Sequence, residues 1–102
     1  MKNNVVLSKD GRELKTDILL HPGNVLKKEL ATRGLKKNFF AEKLGMHASQ
    51  LSDLLNGKRH VNATLAIKLE DLLGIEAVFW MSVQSAYDLE MARFEARQKI
   101  AA

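Results

Sequence analysis

Residues 40–59, FAEKLGMHASQLSDLLNGKR, contain two short helical patterns that meet at Gly45. Apolar side chains recur at helical spacing on both sides of this glycine, at Phe40, Ala41, Leu44, Leu51, Leu54 and Leu55. Glycine permits the positive φ angle of a tight turn, and helices joined so closely cross steeply, which lets one of them enter a DNA groove. The segment therefore predicts a helix-turn-helix, although an ordinary helical hairpin in a small bundle has the same spacing.

The length and composition of the chain limit the number of domains and the classes of protein that it can form. Its 102 residues, 46% of them hydrophobic, suffice for one modest core. No run reaches the roughly 18 apolar residues of a membrane span, and the N-terminus lacks the apolar core of a signal peptide. We therefore expect a cytoplasmic protein that does not contact a membrane. The sequence contains no cysteine, which excludes disulfides and thiolate metal sites.

Positive charge is concentrated in the middle of the chain. Residues 21–60 carry eight Lys/Arg against three Asp/Glu, a net charge of +5. Residues 1–20 carry four against three (+1), and residues 61–102 carry four against six (−2). A polyanion such as nucleic acid would therefore bind the helix-turn-helix segment, and the acidic C-terminal part would face something else.

Glycines mark the ends of four predicted helices, at Gly34, Gly45, Gly57 and Gly74. We predict an all-α fold with helices at about residues 22–33, 37–44 and 48–56, a fourth between Asn62 and Gly74, and a longer fifth from residue 76 or 77. The fourth helix is expected to bury Leu65, Ala66, Leu69, Leu72 and Leu73.

The fifth predicted helix carries a broad apolar stripe, formed by Phe79, Trp80, Val83, Tyr87, Met91 and Phe94. Its first turns are expected to close the core, whereas its later turns extend past the core of so small a domain. Exposed apolar surface suggests a partner, so Tyr87, Met91 and Phe94 are predicted to contact a second copy or another protein. Fraying of the last turns, which end in EARQKIAA, is the alternative.

Residues 1–20 form a predicted N-terminal arm. Lys9-Asp10-Gly11 is a turn signal between two short runs compatible with β-strands, which indicates a hairpin. A lone hairpin is marginal in water, so we expect the arm to be either mobile or ordered on a partner. The predicted organisation is an arm at 1–20, one helical domain at 21–95 and a C-terminal tail at 96–102.

The chain resembles the Xre-type helix-turn-helix proteins and, within them, the HigA-type, VapI-like antitoxins. Five segments carry the resemblance: AEKLG, Leu51-Ser52, LLNGKR, LAIKLEDLLG and FWMSVQSAYDL. It covers about residues 21–93 and implies a compact five-helix, lambda-repressor-like DNA-binding domain with a short N-terminal arm and a long C-terminal helix. It also implies a homodimer that binds double-stranded operator DNA, represses its own operon and neutralises a HigB-type ribonuclease toxin, without a cofactor or a small-molecule substrate.

The family's pattern, carried over position by position, assigns base reading to the start of the third helix. The residues are His47, Ala48, Ser49, Gln50 and Ser52. Gln50 would pair with adenine in the major groove, but as the third residue of the helix it is equally suited to a capping box.

Phosphate contacts are assigned to the start of the second helix and to the segment after the third. The residues are Lys36, Lys37, Asn38, Lys58 and Arg59. Relatives usually have Ser or Thr at the N-caps where this chain has Lys36 and His47. A poor cap costs roughly 1 kcal/mol, and a nearby phosphate would offset that cost. We therefore expect Lys36 to bind phosphate, and a displaced helix start is the alternative.

Two further positions depart from the family's pattern. Asp53 stands where relatives often carry Arg or Lys, and we expect a solvated charge that faces away from DNA. The alternative is a carboxylate that faces DNA and accepts from a cytosine amino group. Phe39 replaces a usually polar residue and is expected either on the surface or against the arm.

Enzymatic function is not expected. His21, His47 and His60 form no close metal-binding pattern, and the sequence has no phosphate-binding glycine loop or nucleophile motif. We therefore predict neither catalytic residues nor a metal site. Two other functions remain open: a solitary Xre-type repressor without a toxin partner, and a helical interaction module that does not bind DNA.

Overall fold

The computed structural model describes residues 19–101, with side chains described through residue 100. Within this range the chain forms five helices: α1 (Pro22–Arg33), α2 (Lys37–Leu44), α3 (Ala48–Leu55), α4 (Ala63–Leu73) and α5 (Ala77–Ala101). The predicted all-α architecture is confirmed, and α3 ends one residue earlier than expected. The predicted hairpin at residues 9–11 lies outside the described residues.

One apolar core joins the five helices. It consists of Leu26, Leu30, Phe40, Ala41, Leu44, Leu51, Leu54, Leu55, Val61, Leu65, Ala66, Leu69, Leu73 and Trp80. Trp80 of α5 is fully buried, and its indole Nε1 donates a hydrogen bond to the Ile75 carbonyl at 3.1 Å. The polar atom of the ring is therefore satisfied, and its large apolar surface stabilises the packing of α5 against the other helices.

Leu72 was wrongly predicted to be buried: its side chain is 38% exposed, whereas the other apolar residues predicted for the α4 core are buried. Each residue turns by about 100° around an α-helix, which places Leu72 at the border of the face centred on Leu69. Spacing of three and four residues identifies such a face but does not say where a neighbouring helix stops covering it.

The turn between α2 and α3 depends on Gly45, which has a φ angle of +73°. Its N–H donates to the Glu42 carbonyl, and the following N–H, of Met46, donates to the Ala41 carbonyl, both at 3.0 Å. Any residue with a Cβ atom is strained at this φ, so glycine is required here. The Lys68 ammonium of α4 donates to the Leu44 carbonyl at 3.2 Å and completes the end of α2.

α1 approaches α3 closely at Gly23. A Cβ atom at this position would lie 1.8 Å from the carbonyl oxygen of Leu54, so a larger residue would push the two helices apart. The start of α1 therefore rests directly on the last turn of α3.

His21 caps α1 and is itself buried. Its Nδ1 accepts from the Gly23 N–H at 2.9 Å, and its own N–H donates to Asn24 Oδ1 at 3.1 Å. His21 is only 3% exposed, and its ring packs edge-on with that of Tyr87 of α5, with 4.7 Å between centroids. Burial lowers the pKa of His21, and the nearby His60 lowers it further. Asp88 opposes this shift.

Polar contacts tie the segment after α3 to α5. The Val61 N–H donates to Gln84 Oε1 at 2.7 Å, and Gln84 Nε2 donates to Asp88 Oδ1 at 2.9 Å. Gln84 is only 4% exposed, so these bonds satisfy amide atoms that would otherwise be buried at a cost. The segment that follows α3 is therefore positioned by α5.

α5 has 25 residues and continues to Ala101, so residues 96–101, predicted as a tail, are helical. Its first turns close the core through Trp80, as expected. Phe94 is about half exposed and Ile100 is 85% exposed, so the later turns do extend past the core. Among the helices that the structure describes, none is long and apolar enough to cross a membrane.

Acid is expected to destabilise the protein through His21. Above about pH 6.5 the ring is neutral in both the folded and the unfolded chain. Below that pH the unfolded chain takes up a proton that the folded chain resists, because the folded pKa is lowered. The free energy of unfolding should therefore fall as the pH decreases from about 6.5 towards the folded pKa, which denaturant titrations at several pH values would measure.

His21→Asn is the matched variant, because asparagine supplies a capping acceptor and does not titrate in this range. Its free energy of unfolding should depend less on pH than that of the wild-type chain. An equal pH dependence in the two proteins would show that other groups cause the acid sensitivity.

Candidate nucleic-acid interface

α3 presents two distinct faces. Leu51, Leu54 and Leu55 are at most 2% exposed and contact the core, whereas Ser49 and Asp53 are exposed on the opposite face. The three leucines leave α3 no freedom to rotate about its axis without exposing apolar surface. Eight residues make a helix about 12 Å long, which matches the width of the DNA major groove.

The structure brings the predicted base-reading residues together at the exposed start of α3. His47, Ala48 and Ser49 are exposed, and Gln50 and Ser52 are half-buried. Ser49 is central on the outward face, with Ser52 on one flank and Gln50 on the other, because successive residues turn by about 100°. Ser49 is therefore the best placed of the five for contact with base edges.

Gln50 makes the capping contact that the sequence offered as an alternative to base reading. Its Oε1 accepts from the His47 N–H at 2.9 Å. Only the amide oxygen can accept this bond, which fixes the orientation of the amide. The Nε2 group is left with its two N–H donors, which suit an acceptor such as a purine N7.

Lys36 is the N-cap of α2, as predicted, and its backbone is extended with φ −79° and ψ 141°. No side chain accepts a hydrogen bond from the first turn of this helix at the N-cap, and the first turn contains no acidic residue. Lys36, Lys37 and Asn38 are all exposed there. Uncapped N–H groups, the positive end of the helix dipole and two cations favour an anion at this position.

Lys58 and Arg59 follow the last turn of α3 and are exposed. Gly57 reverses the chain with a φ of +77°, and the Lys58 N–H donates to the Asp53 carbonyl at 2.8 Å. The two cations thus come directly after the helix that bears the outward face. Their charge completes a positive field around α2 and α3.

Phe39 is a surface aromatic residue, half exposed, and the Lys43 ammonium lies 5.2 Å from the centroid of its ring. The two residues are four apart on α2, so this cation–π contact lies along one side of the helix. It accounts for an exposed ring at a position where the family's pattern is usually polar.

The predicted partner surface on α5 is only partly available. Tyr87 is half-buried because it packs against His21, and Met91 is also half-buried. Phe94 and Leu89 are 49% and 55% exposed. Phe94 is therefore the most accessible of the three predicted partner residues.

Sequence reasoning missed the capping role of His21 and did not place Asp53 on a face of α3. The capping role of His21 was signalled by its place before Pro22 and three residues before Asn24, a spacing typical of helix starts. The outward orientation of Asp53 was signalled by its place four residues after Ser49, which puts both on one helical face. Within residues 19–100, no group of three or more His, Asp or Glu side chains could hold a metal ion.

The helix-turn-helix has counterparts in known proteins. The profile of the family described as Helix-turn-helix matches residues 26–80, which run from α1 to the first turn of α5. Virulence-associated protein I of Dichelobacter nodosus is 34% identical over 74 residues, which are 72% of this chain and 68% of that protein. Antitoxin HigA-1 of Vibrio cholerae is 40% identical over 68 residues, which are 66% of this chain and 64% of that protein.

A solved structure shares the arrangement of the helices. It contains the Pseudomonas aeruginosa antitoxin HigA with the higBA promoter. The two folds agree with a TM-score of 0.72 and 30% sequence identity over 79% of this chain and 89% of that chain.

Replacing Lys36 with serine should change stability and DNA affinity in opposite directions. Serine would supply the missing cap of α2 and raise the free energy of unfolding by about 1 kcal/mol. Loss of the cation should weaken binding to every DNA sequence and reduce the salt slope by about one. Lys99→Ser in the last turn of α5 is the charge-matched control, and an equal loss of affinity in both variants would argue against a specific phosphate contact.

Two Gln50 variants separate capping from base reading. Gln50→Ala removes both the cap acceptor and the Nε2 donor, so it should lower the free energy of unfolding by about 1 kcal/mol and alter base preference. Gln50→Glu retains an acceptor, so its free energy of unfolding should be close to that of the wild-type chain, whereas its base preference should still be altered. Thermal unfolding and selection from randomised duplexes measure the two effects. An equal loss on every sequence would remove Gln50 from the reading residues.

Proposed function

Because the chain belongs to the Xre-type helix-turn-helix family, we propose that it is the DNA-binding antitoxin of a type II toxin–antitoxin module. It represses its own operon and neutralises a HigB-type ribonuclease toxin. The observation that carries the proposal is the polar outward face of α3, set between the cations of α2 and those after α3. The family comprises DNA-binding regulators and antitoxins and is not enzymatic.

DNA recognition divides into reading and positioning. α3 enters the major groove, where His47, Ala48, Ser49, Gln50 and Ser52 contact base edges. Backbone phosphates are held by Lys36, Lys37, Asn38, Lys58 and Arg59. Phosphate contacts set the register and make affinity salt-dependent, whereas the small polar side chains of α3 supply the sequence preference. Promoter DNA in the Pseudomonas aeruginosa HigA structure supports this role for a chain of similar fold.

The protein acts as a homodimer. Two copies place two α3 helices on successive turns of the same face of DNA, so the operator consists of two related half-sites about 34 Å apart. Phe94, about half exposed and on the same side of α5 as Tyr87 and Met91, supports association through this helix. This surface, with Met91 and Phe94 at its centre, serves the second copy or the toxin.

Toxin binding and DNA binding use different parts of the chain. The DNA-binding residues lie in α2, α3 and the segment after α3, within the part of the sequence that carries +5. The α5 surface lies in the part that carries −2, which suits a basic partner. The names of relatives, among them an antitoxin of Vibrio cholerae, support the assignment of a toxin as that partner.

The proposal is tested with the gene's own upstream DNA and with the product of the adjacent gene. The protein should form a specific complex with the upstream DNA that weakens steeply with salt, as a gel-shift series would show. Coexpression should yield a copurifying partner. Specific DNA binding without a copurifying partner would indicate a solitary repressor instead of an antitoxin. Absence of a specific DNA complex would indicate a helical interaction module that does not bind DNA.

Single substitutions should separate the two activities. Ser49→Ala should alter base preference while partner retention stays unchanged, because its side chain lies on α3. Phe94→Glu places a charge in the exposed apolar surface of α5 and should abolish either partner retention or dimerisation. Copurification and sedimentation equilibrium measure these effects. Unchanged partner retention and unchanged dimerisation in Phe94→Glu would exclude this surface as the interface.

A further inference from the structure

Asp53 is an isolated acidic residue in a basic part of the chain. It is the only Asp or Glu between Glu42 and Glu70, a stretch that also contains Lys43, Lys58 and Arg59. Its side chain is exposed, and within residues 19–100 it takes part in none of the ion pairs. The carboxylate is therefore available to a ligand of α3.

The packing of α3 directs Asp53 to the same side as Ser49. The two residues are four apart, so they lie one turn apart on one face of the helix. This face is opposite Leu51 and Leu54, which are fully buried and fix the rotation of α3 about its axis. An eight-residue helix spans about 12 Å, so both turns of the outward face fit within the major groove. Asp53 lies in the second of these turns.

An ionised carboxylate in the major groove accepts hydrogen bonds and donates none. Cytosine presents only an amino donor there, at N4, whereas guanine presents the N7 and O6 acceptors and thymine presents O4. Adenine presents its N6 donor beside the N7 acceptor, which repels a carboxylate. The chemistry of Asp53 therefore favours cytosine and disfavours the other three bases at the position it faces.

We propose that Asp53 is a specificity-determining residue that accepts a hydrogen bond from the amino group of one cytosine in each half-site. This proposal rests on the proposed DNA-binding function. The charge of Asp53 repels the backbone phosphates of every sequence, and only the hydrogen bond from that cytosine offsets the repulsion, so binding to unrelated DNA is weaker. Asp53 thus raises discrimination by lowering affinity for the wrong sequences. The other expectation, a solvated charge that faces away from DNA, predicts no effect of Asp53 on base preference.

The test is selection from randomised duplexes with three proteins: wild type, Asp53→Asn and Glu42→Gln. Asparagine has the shape of aspartate but adds donors and removes the charge. Glu42 is exposed on α2 in the same basic segment, so Glu42→Gln controls for the loss of one negative charge. Thermal unfolding checks that all three proteins fold equally well.

Wild type should select a cytosine at one position of each half-site. Asp53→Asn should lose about tenfold of the discrimination at that position and retain the preferences elsewhere. Glu42→Gln should raise affinity for all sequences alike. If Asp53→Asn behaves like Glu42→Gln and keeps every base preference, Asp53 does not read a base. If wild type selects no sequence at all, the DNA-binding function itself is overturned together with the role of Asp53.

Discussion

Leu51, Leu54 and Leu55 are buried on one side of α3, and their burial fixes how this helix lies in the domain. These side chains are almost completely removed from water, and each contributes roughly 1.5–3 kcal/mol of transfer free energy relative to exposure. Rotation of α3 by even one residue position would expose part of this surface. The orientation of Ser49 and Asp53 is therefore set by leucines on the opposite, buried face of the helix.

Three neighbouring helices, α1, α2 and α5, position α3 and the segment that follows it. Gly45 turns the chain sharply so that α2 packs against α3, and Gly23 lets the start of α1 touch the Leu54 carbonyl. Gln84 of α5 holds the backbone after α3 through the Val61 N–H. Because α5 also bears the exposed apolar surface, a partner on that surface would contact the helix that positions the segment after α3.

The two helix starts of the helix-turn-helix differ in how their N–H groups are satisfied. α3 begins with the His47–Gln50 contact, whereas α2 begins at Lys36 without a side-chain cap. A lysine at this position costs stability in the isolated protein, since both the missing acceptor and the helix dipole are unfavourable. A bound phosphate would supply the missing acceptor and offset the unfavourable dipole interaction, which is why the proposed phosphate contact lies at the start of α2.

Features that depend on residues close along the chain could be predicted from the sequence. Helix boundaries followed from the apolar spacing and the terminal glycines, and the apolar face of α3 followed from its leucines. Lys36 was identified as an N-cap because capping involves only the first turn of a helix. The outward position of Asp53 was also implied by its spacing from Ser49 and agrees with the expectation of an exposed charge.

Contacts between residues far apart in the sequence could not be predicted in this way and depend on the packing of the helices. Burial of His21 requires Tyr87 of α5, the Val61 N–H finds its acceptor at Gln84, and the exposure of Leu72 depends on where the neighbouring helices end. Local periodicity shows which side of a helix is apolar, because that property belongs to the helix. It does not show which element covers that side, because coverage depends on the packing of the whole chain.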